Sequence, residues 1–270
     1  MSFMVFFKRN LGFFKLAITS NLEYRLNFIV DAIAQPLVTS IVEMILWMAI
    51  FIGAQATVIA GFEQSYYLAY AIWATFVARI TVNWMYEFRM IEDIELGSIN
   101  SVLTRPMTFY EYYLSQLLGY KFITTLISLV FPAIMIVILD LPTDWKRLPA
   151  AFALIFYYVI FVYSMSFCIA CLTFFFNKVN SLTVTKNMIL WLMTGELFPL
   201  DLMPEYWRNI FLTLPFSSGV YLPVGFITGR IGAEGLAQGF YTVTLGLVAT
   251  SLTGWILWRK GMKVYAGTGA

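Results

Sequence analysis

Apolar residues follow one another in long blocks along this chain, and polar residues collect between the blocks. A helix that crosses about 30 Å of hydrocarbon needs roughly 20 predominantly apolar residues. We predict a membrane-spanning helix in each of six blocks: 26–52, 66–86, 114–139, 150–176, 182–199 and 236–258. The alternating pattern of a membrane β-barrel strand is absent from these blocks. The predicted fold is therefore all-α, a six-helix integral membrane domain over 26–258.

The residues before the first block show a different pattern. Apolar side chains recur there at helical spacing, and lysines lie on the opposite face: Phe3, Phe7, Leu11, Phe14 and Ile18 against Lys8 and Lys15. A helix with one apolar and one basic face lies in the membrane interface. We therefore predict an amphipathic interfacial helix over 1–25.

The polar connection 87–113 predicts two helices separated by a proline. A short helix over 98–104 ends before Pro106, because the residue before a proline avoids the α region. A second helix begins near Thr108, where Glu111 completes a capping box. A short helix that lies on the membrane surface between two spans is a suitable docking surface for another protein.

The connection 200–235 is too rich in proline and glycine for a plain span, and it also carries many aromatic side chains. Prolines interrupt helices, whereas the aromatic side chains favour an apolar or interfacial setting. We predict a helical hairpin that dips into the outer leaflet. Because exposed irregular backbone is costly in lipid, this hairpin must pack on the spans.

Composition narrows the function classes. Hydrophobic residues make up 60% of the 270 residues and charged residues only 12%, so the chain lacks the charged surface of a soluble domain. The absence of histidine excludes Ser-His-Asp nucleophiles, histidine-ligated metals and histidine proton relays. A net charge of +2 gives no reason to expect a nucleic acid partner. Cys168 and Cys171 lie in an apolar block, and we expect them to pack against a neighbouring helix.

The distribution of lysine and arginine predicts that both termini lie in the cytoplasm. Most cations flank the spans on the side of the N-terminus: Lys8, Arg9, Lys15, Arg25, Arg89, Arg105, Lys178, Arg259, Lys260 and Lys263. Fewer lie on the other side: Lys146, Arg147, Arg208 and Arg230. The segment 259–270 is then a cytoplasmic tail, and 87–113 is cytoplasmic as well.

Three of the predicted spans carry polar stripes at helical spacing. Ionisable groups inside a membrane usually face protein or water, so the stripes either line a pathway or dimer interface, or hold helices together as a structural network. The candidate pathway or interface residues are Asp31, Gln35, Thr39, Glu43, Arg79, Asn83, Lys186, Asn187 and Glu196. Lys121 is a further buried cation that pairs with one of these acids in our interpretation.

Two segments resemble ABC-2-type exporter permeases. GSINSVLTRPMTFYEYYLSQLLGYK, over 97–121, is similar to the coupling-helix region of that family, and residues 194–230 resemble its re-entrant extracellular hairpin. In the hairpin, the breaking residues stand in the expected order: Gly195, Pro199, Pro204, Pro215 and Gly229. The resemblance covers essentially the whole chain and extends to the subfamily that is often built from two unlike permeases.

The resemblance implies a cytosolic ABC nucleotide-binding subunit that carries ATP and Mg²⁺, while this chain binds no cofactor. The chain itself has no GxxxxGK[ST] sequence and hence no P-loop. The implied ATPase-coupling residues are Glu95, Gly97, Ser98, Ile99, Val102, Leu103, Arg105 and Pro106. A second permease subunit, identical or paralogous, completes the transporter, and membrane lipids surround it in the bacterial inner membrane.

The predicted function is therefore that of the permease subunit of an ATP-driven exporter, which is not itself an enzyme. Few charges and many aromatic side chains favour a hydrophobic or amphipathic substrate such as a drug, lipid or glycolipid, although the breadth of the family leaves polysaccharide export open. The alternative is a secondary transporter or channel that uses buried charged residues. A third hypothesis is a lipid enzyme with Glu196, Asp201 and Glu205 as acid–base groups.

Overall fold

The computed structural model of the chain describes residues 30–176 and 178–265, together with Gly12 and Thr19. Apart from these two residues, the predicted interfacial helix over 1–25 lies outside the described part of the chain. Within the described ranges the chain is nearly all helical, with one short antiparallel β-hairpin. The all-α fold class is confirmed at this level.

The elements follow in chain order as a π-helical turn Val30–Ala34, α1 (Gln35–Ala54), β1 (Val58–Ile59), β2 (Phe62–Glu63), α2 (Gln64–Thr81), α3 (Trp84–Glu95), α4 (Ile99–Leu103), α5 (Phe109–Ser128), α6 (Val130–Ile138), a 3-10 turn Trp145–Arg147, α7 (Leu148–Leu172), α8 (Asn180–Met193), a 3-10 turn Leu200–Leu202, α9 (Glu205–Thr213), a 3-10 turn Pro215–Ser218, α10 (Tyr221–Ile227) and α11 (Ala233–Val264). The strongest packing joins α7 to α11 and α1 to α2.

Four helical stretches in the described ranges are long and apolar enough to cross a membrane: Ala32–Ala54, Phe109–Ile138, Trp145–Leu172 and Ala233–Val264. They coincide with four of the six predicted spans. The other two predicted spans, 66–86 and 182–199, correspond to α2 and α8, which have 18 and 14 residues. Their crossing of the membrane stays a prediction.

Local backbone chemistry explains where the helices differ from the predicted spans. α2 ends at Thr81 because Val82 has an extended backbone, with ψ 127°, and α3 starts two residues later. α8 ends at Met193, just before Gly195, whose φ of +82° is incompatible with a continued helix. α5 and α6 are separated at Leu129, because Pro132 has no N–H for the carbonyl one turn earlier.

The helix α2 lies at the centre of the bundle, where almost all of its side chains are buried between α1, α6, α7 and α10. Its aromatic side chains carry polar groups that find partners inside the protein. The hydroxyl of Tyr70 donates to the carbonyl of Gly195 at 2.6 Å, and the indole N–H of Trp73 donates to Thr143 at 2.9 Å. A helix enclosed by protein can be less apolar than one that faces lipid, which explains the moderate hydropathy of α2.

The helices α7 and α11 run side by side in the same direction, and glycines of α11 face bulky side chains of α7 and of the turn that follows it. The pairs are Gly239 with Leu154, Gly246 with Phe161, Gly254 with Phe167 and Gly261 with Phe174. Small residues at such contacts let two membrane helices approach closely. Cys168 and Cys171 lie in this region: the Cys168 thiol donates to the carbonyl of Thr250, and Cys171 is fully buried. Their predicted packing role is confirmed.

The helix α11 extends beyond the predicted span 236–258 and ends at Val264, within the segment predicted as a cytoplasmic tail. The ring of Tyr265 then packs edge-on against Phe174, with ring centroids 5.9 Å apart. The contact between α11 and the turn after α7 therefore extends through the basic segment, and residues 266–270 lie outside the described ranges.

Candidate functional site

A cavity of about 230 Å³ opens between α1, α2, α3, α7 and α8. Its polar lining comes from all three predicted stripes, and it includes seven of the nine candidate pathway residues: Gln35, Thr39, Glu43, Arg79, Asn83, Asn187 and Glu196. Of the remaining two, Lys186 is buried outside the cavity, and the side chain of Asp31 lies outside the described part of the structure. The three stripes therefore meet in one place.

Helical spacing explains why α1 and α2 present their polar groups to the same cavity. Side chains four residues apart share one face of a helix, which places Gln35, Thr39 and Glu43 in a row along α1. The hydroxyl of Thr75 on α2 lies 3.2 Å from the Glu43 carboxylate and 2.9 Å from the carbonyl of Ala71, and its one proton is shared between these two acceptors. This contact fixes the α1 carboxylate against α2.

The break between α2 and α3 opens the helical backbone beside the cavity. Asn83 lies in this break, almost fully buried, and its amide donates to the carbonyl of Val159 at 3.4 Å. Among the described residues, the side-chain oxygen of Asn83 has no hydrogen-bond partner. The next residue, Trp84, starts α3 and also lines the cavity.

Lys186 belongs to a structural network instead of the cavity. Its ammonium group binds the carboxylate of Glu87 and also donates to Ser166 at 3.0 Å. Glu87 is fully buried, so the ion pair joins α3, α7 and α8 away from water. Lys121, on α5, donates to the backbone carbonyl of Arg79 at 2.8 Å.

The helix α3 connects the cavity with the predicted coupling segment. It begins at Trp84, in the cavity lining, and its 12 residues end at Glu95. Such a helix spans about 18 Å. After α3 the chain turns at Gly97, whose φ is +73°, and enters α4.

The coupling segment exposes only part of the set predicted from its spacing. Ile99 and Val102 are buried in the core, so neither contacts a docked subunit in this conformation. Leu103 is 38% exposed, as expected for a position about 100° further round the helix. The remaining predicted residues are exposed or half-buried: Glu95, Gly97, Ser98, Arg105 and Pro106. Leu96, which the sequence analysis did not single out, is 62% exposed beside them.

Hydrogen bonds on both sides hold this segment in place. The hydroxyl of Tyr113 donates to Asp93 at 2.5 Å, before the turn. The predicted capping box at the start of α5 is confirmed, with Glu111 N donating to Thr108 at 3.2 Å and Thr108 N donating to Glu111 at 2.9 Å. From the far end of the chain, the hydroxyl of Tyr265 contacts the carbonyl of Gly97 at 3.4 Å. These hydrogen bonds therefore hold the exposed surface of the coupling segment in a fixed position relative to the bundle.

The segment 200–235 folds into short helices that pack on the bundle. Every residue of α10 is buried, and α10 contacts α2, α7 and α11. Asp201 accepts hydrogen bonds from Arg230 at 2.9 Å and from Tyr221 at 3.0 Å, and these tie the two ends of the segment together. Since Glu196 lines the cavity and Glu205 is exposed, the three acids of the lipid-enzyme hypothesis do not share a site.

Three aromatic groups of the cavity were not found from sequence: Trp84, Tyr158 and Trp191. Tyr158 comes from α7, whose apolar run contains no polar stripe that marks one face. Trp191 lies on α8, one turn before Gly195, but it was assigned no role among the many aromatic residues. Its spacing from Asn187 was the one available signal, because residues four apart lie on the same helical face.

A family model described as ABC-2 family transporter protein matches residues 37–269. No curated protein matches the chain. The matched range includes the coupling segment, the segment 200–235 and all the cavity-lining residues except Gln35 and Pro36, so the resemblance drawn from the sequence is confirmed. Membership implies an ATP-binding partner subunit, and the chain is the transport part, not the catalytic one. The chain belongs to the ABC-2 family of transporter proteins, as a multi-pass membrane subunit of an ABC transporter.

Proposed function

We propose that this chain is the permease subunit of an exporter that moves a hydrophobic or amphipathic substrate outward, as the drug, lipid or glycolipid exporters do. A separate nucleotide-binding subunit, which carries ATP and Mg²⁺, supplies the energy. A second permease subunit, identical or paralogous, faces the cavity side of this one. The transporter lies in the bacterial inner membrane with both termini of this chain in the cytoplasm.

One observation carries this proposal: α3 joins the cavity to the exposed coupling segment. Trp84 at the start of α3 lines the cavity, while Leu96 and Leu103 are exposed just beyond its other end. A rigid helix transmits a displacement at one end to the other. A subunit that pushes on the coupling segment therefore moves a wall of the cavity.

The buried ion pair extends this connection to α8. Glu87 lies on α3, one turn after Asn83, and it binds Lys186 of α8. Closure of ATP-bound partner subunits would then shift α3 and α8 together. Because both helices line the cavity, the movement changes the width of the route between α1, α2 and α8.

Replacing Leu103 with aspartate is expected to reduce recovery of the nucleotide-binding subunit by at least about tenfold, because a charge in an apolar docking contact is strongly unfavourable. The measurement is co-purification of that subunit on a tagged permease from membranes, normalised to the amount of permease. Leu103 is exposed, so the substitution should leave membrane insertion unchanged.

Val58→Asp is the matched control for this variant. Val58 is 50% exposed in the connection between α1 and α2, which we predict to face the opposite side of the membrane. Val58→Asp introduces the same negative charge as Leu103→Asp but leaves the coupling segment unchanged. Equal recovery of the ATPase subunit with Leu103→Asp and with Val58→Asp would contradict docking at this surface.

The secondary transporter or channel is separated from the exporter by a transport measurement. The permease alone, reconstituted in vesicles with an ion gradient, is expected to move no substrate, since the coupling movement comes from the ATPase subunit. Substrate movement driven by the gradient without that subunit would favour the alternative. The same vesicles with the complete complex and ATP serve as the positive control.

A further inference from the structure

The charged groups of the cavity are unevenly distributed. Glu43 is held by Thr75, and Arg79 follows Thr75 by one turn, about 6 Å along α2. Arg79 also borders a second cavity that contains Lys121. Glu196, which follows α8, also lines the first cavity and interacts electrostatically with Glu43. One end of the cavity thus holds two carboxylates, and the guanidinium lies towards the other end.

Buried hydroxyls at the carboxylate end lack partners. Tyr158 is 1% exposed, lines the cavity and interacts electrostatically with Glu196. Among the described residues, neither its hydroxyl nor that of Thr194 has a hydrogen-bond partner. Buried polar groups in folded proteins are normally hydrogen-bonded. A molecule bound at this end would restore the missing contacts.

Two features at this end favour a positively charged ligand. Two carboxylates that share an apolar enclosure stabilise a cation between them. The carboxyl end of α8, which carries the negative end of the helix dipole, also lies here, immediately before Gly195 and Glu196. A positively charged group is therefore favoured beside Glu43 and Glu196.

The rest of the cavity wall is mostly apolar. Val162 of α7 and Met188 of α8 line it, together with the indole of Trp191. An indole face also attracts a cation. A ligand that matches this wall carries an apolar or aromatic body next to its charged group.

We propose that this cavity binds an amphipathic organic cation, with its charged centre between Glu43 and Glu196 and its apolar body along the wall formed by α7 and α8. The inference rests on the proposed function, which assigns the cavity to the transport route. It adds that the transported substrate is positively charged and that Glu43 and Glu196 recognise this charge.

The test compares two probes of the same shape and opposite charge, tetraphenylphosphonium and tetraphenylborate. The permease complex is placed in lipid nanodiscs, and binding is measured by equilibrium dialysis with empty nanodiscs subtracted. We expect saturable binding of tetraphenylphosphonium to the wild type and none of tetraphenylborate. The variant Glu43→Gln/Glu196→Gln should bind the cation at least about tenfold more weakly.

Glu92→Gln/Glu205→Gln is the matched control, because it removes two exposed carboxylates that do not line the cavity. It should bind tetraphenylphosphonium like the wild type. Unchanged affinity in Glu43→Gln/Glu196→Gln, absence of saturable cation binding to the wild type, or preference for tetraphenylborate would each overturn the inference. A size-exclusion profile of every sample establishes that the variants are folded.

The same samples separate this inference from the proposed function. Recovery of the nucleotide-binding subunit with the permease tests the transporter assignment, whereas dialysis tests the charge of the ligand. A complex that assembles but binds no cation refutes only the substrate class. A permease that binds the cation but recruits no ATPase refutes only the proposed function.

Discussion

Replacing Lys186 with methionine is expected to lower the unfolding midpoint of the purified permease by about 10 °C. The substitution leaves the carboxylate of Glu87 without its cation, and Glu87 is fully buried. Breaking a buried ion pair on one side costs about 3–5 kcal/mol, which corresponds to a shift of this size in a domain of comparable length. The midpoint is measured by tryptophan fluorescence during heating in detergent.

The double variant Glu87→Gln/Lys186→Met tests the cause of this loss. It removes both charges and keeps the side chains close in size, so most of the lost stability should return. Lys146→Met is the matched control, because Lys146 is exposed and the substitution should leave the midpoint within about a degree of the wild type. A double variant as unstable as Lys186→Met would show that the charge of Glu87 is not the reason.

Replacing Gly195 with alanine is expected to destabilise the protein by about 2–4 kcal/mol. Gly195 has a φ of +82°, which strains any residue with a Cβ atom. The added Cβ would also lie 2.9 Å from Cβ of Tyr221 and 2.9 Å from the hydroxyl of Tyr70. One of these neighbours must move, and the hydrogen bond from Tyr70 to the carbonyl of Gly195 is weakened.

Gly229→Ala separates strain from packing in this prediction. Gly229 has the same φ of +82°, but an added Cβ meets nothing within 4 Å. It should therefore cause the smaller part of the loss, about 1–2 kcal/mol. Chemical denaturation of both variants in the same detergent measures the difference. Equal destabilisation by the two substitutions would mean that the contacts around Gly195 contribute nothing.

The local structure of the coupling segment was predictable from the sequence, whereas the burial of its side chains was not. The order of turn, short helix, proline and capping box predicted its local structure, because each of these signals acts within a few residues. The orientation of α4 was predicted less well. Helical spacing placed Ile99, Val102 and Leu103 on one side of α4. In the structure, Ile99 and Val102 are buried in the core and Leu103 is exposed. Which apolar side chain stays exposed depends on packing partners that are distant in the chain.

For the polar stripes, too, the sequence predicted the shared helical face but not which side chains line the cavity. Four-residue spacing placed Gln35, Thr39 and Glu43 on one helical face, and a polar face in a membrane helix must meet protein or water. In the structure these side chains line one cavity together with polar groups of α2 and α8. The same reasoning grouped Lys186 with its neighbour Asn187, yet only Asn187 lines the cavity, since adjacent residues on a helix point in directions about 100° apart.

The sequence by itself determined that this chain is a helical membrane protein, because apolar length and local breaking signals are properties of the chain alone. The family came from the resemblance of two segments, 97–121 and 194–230, to ABC-2-type permeases. Only the tertiary structure decided that α2 is enclosed at the centre, that Glu87 pairs with Lys186, and that Tyr158 lines the cavity. These outcomes depend on how distant helices pack, since a buried charge or hydroxyl is stable only beside the partner that the fold brings to it.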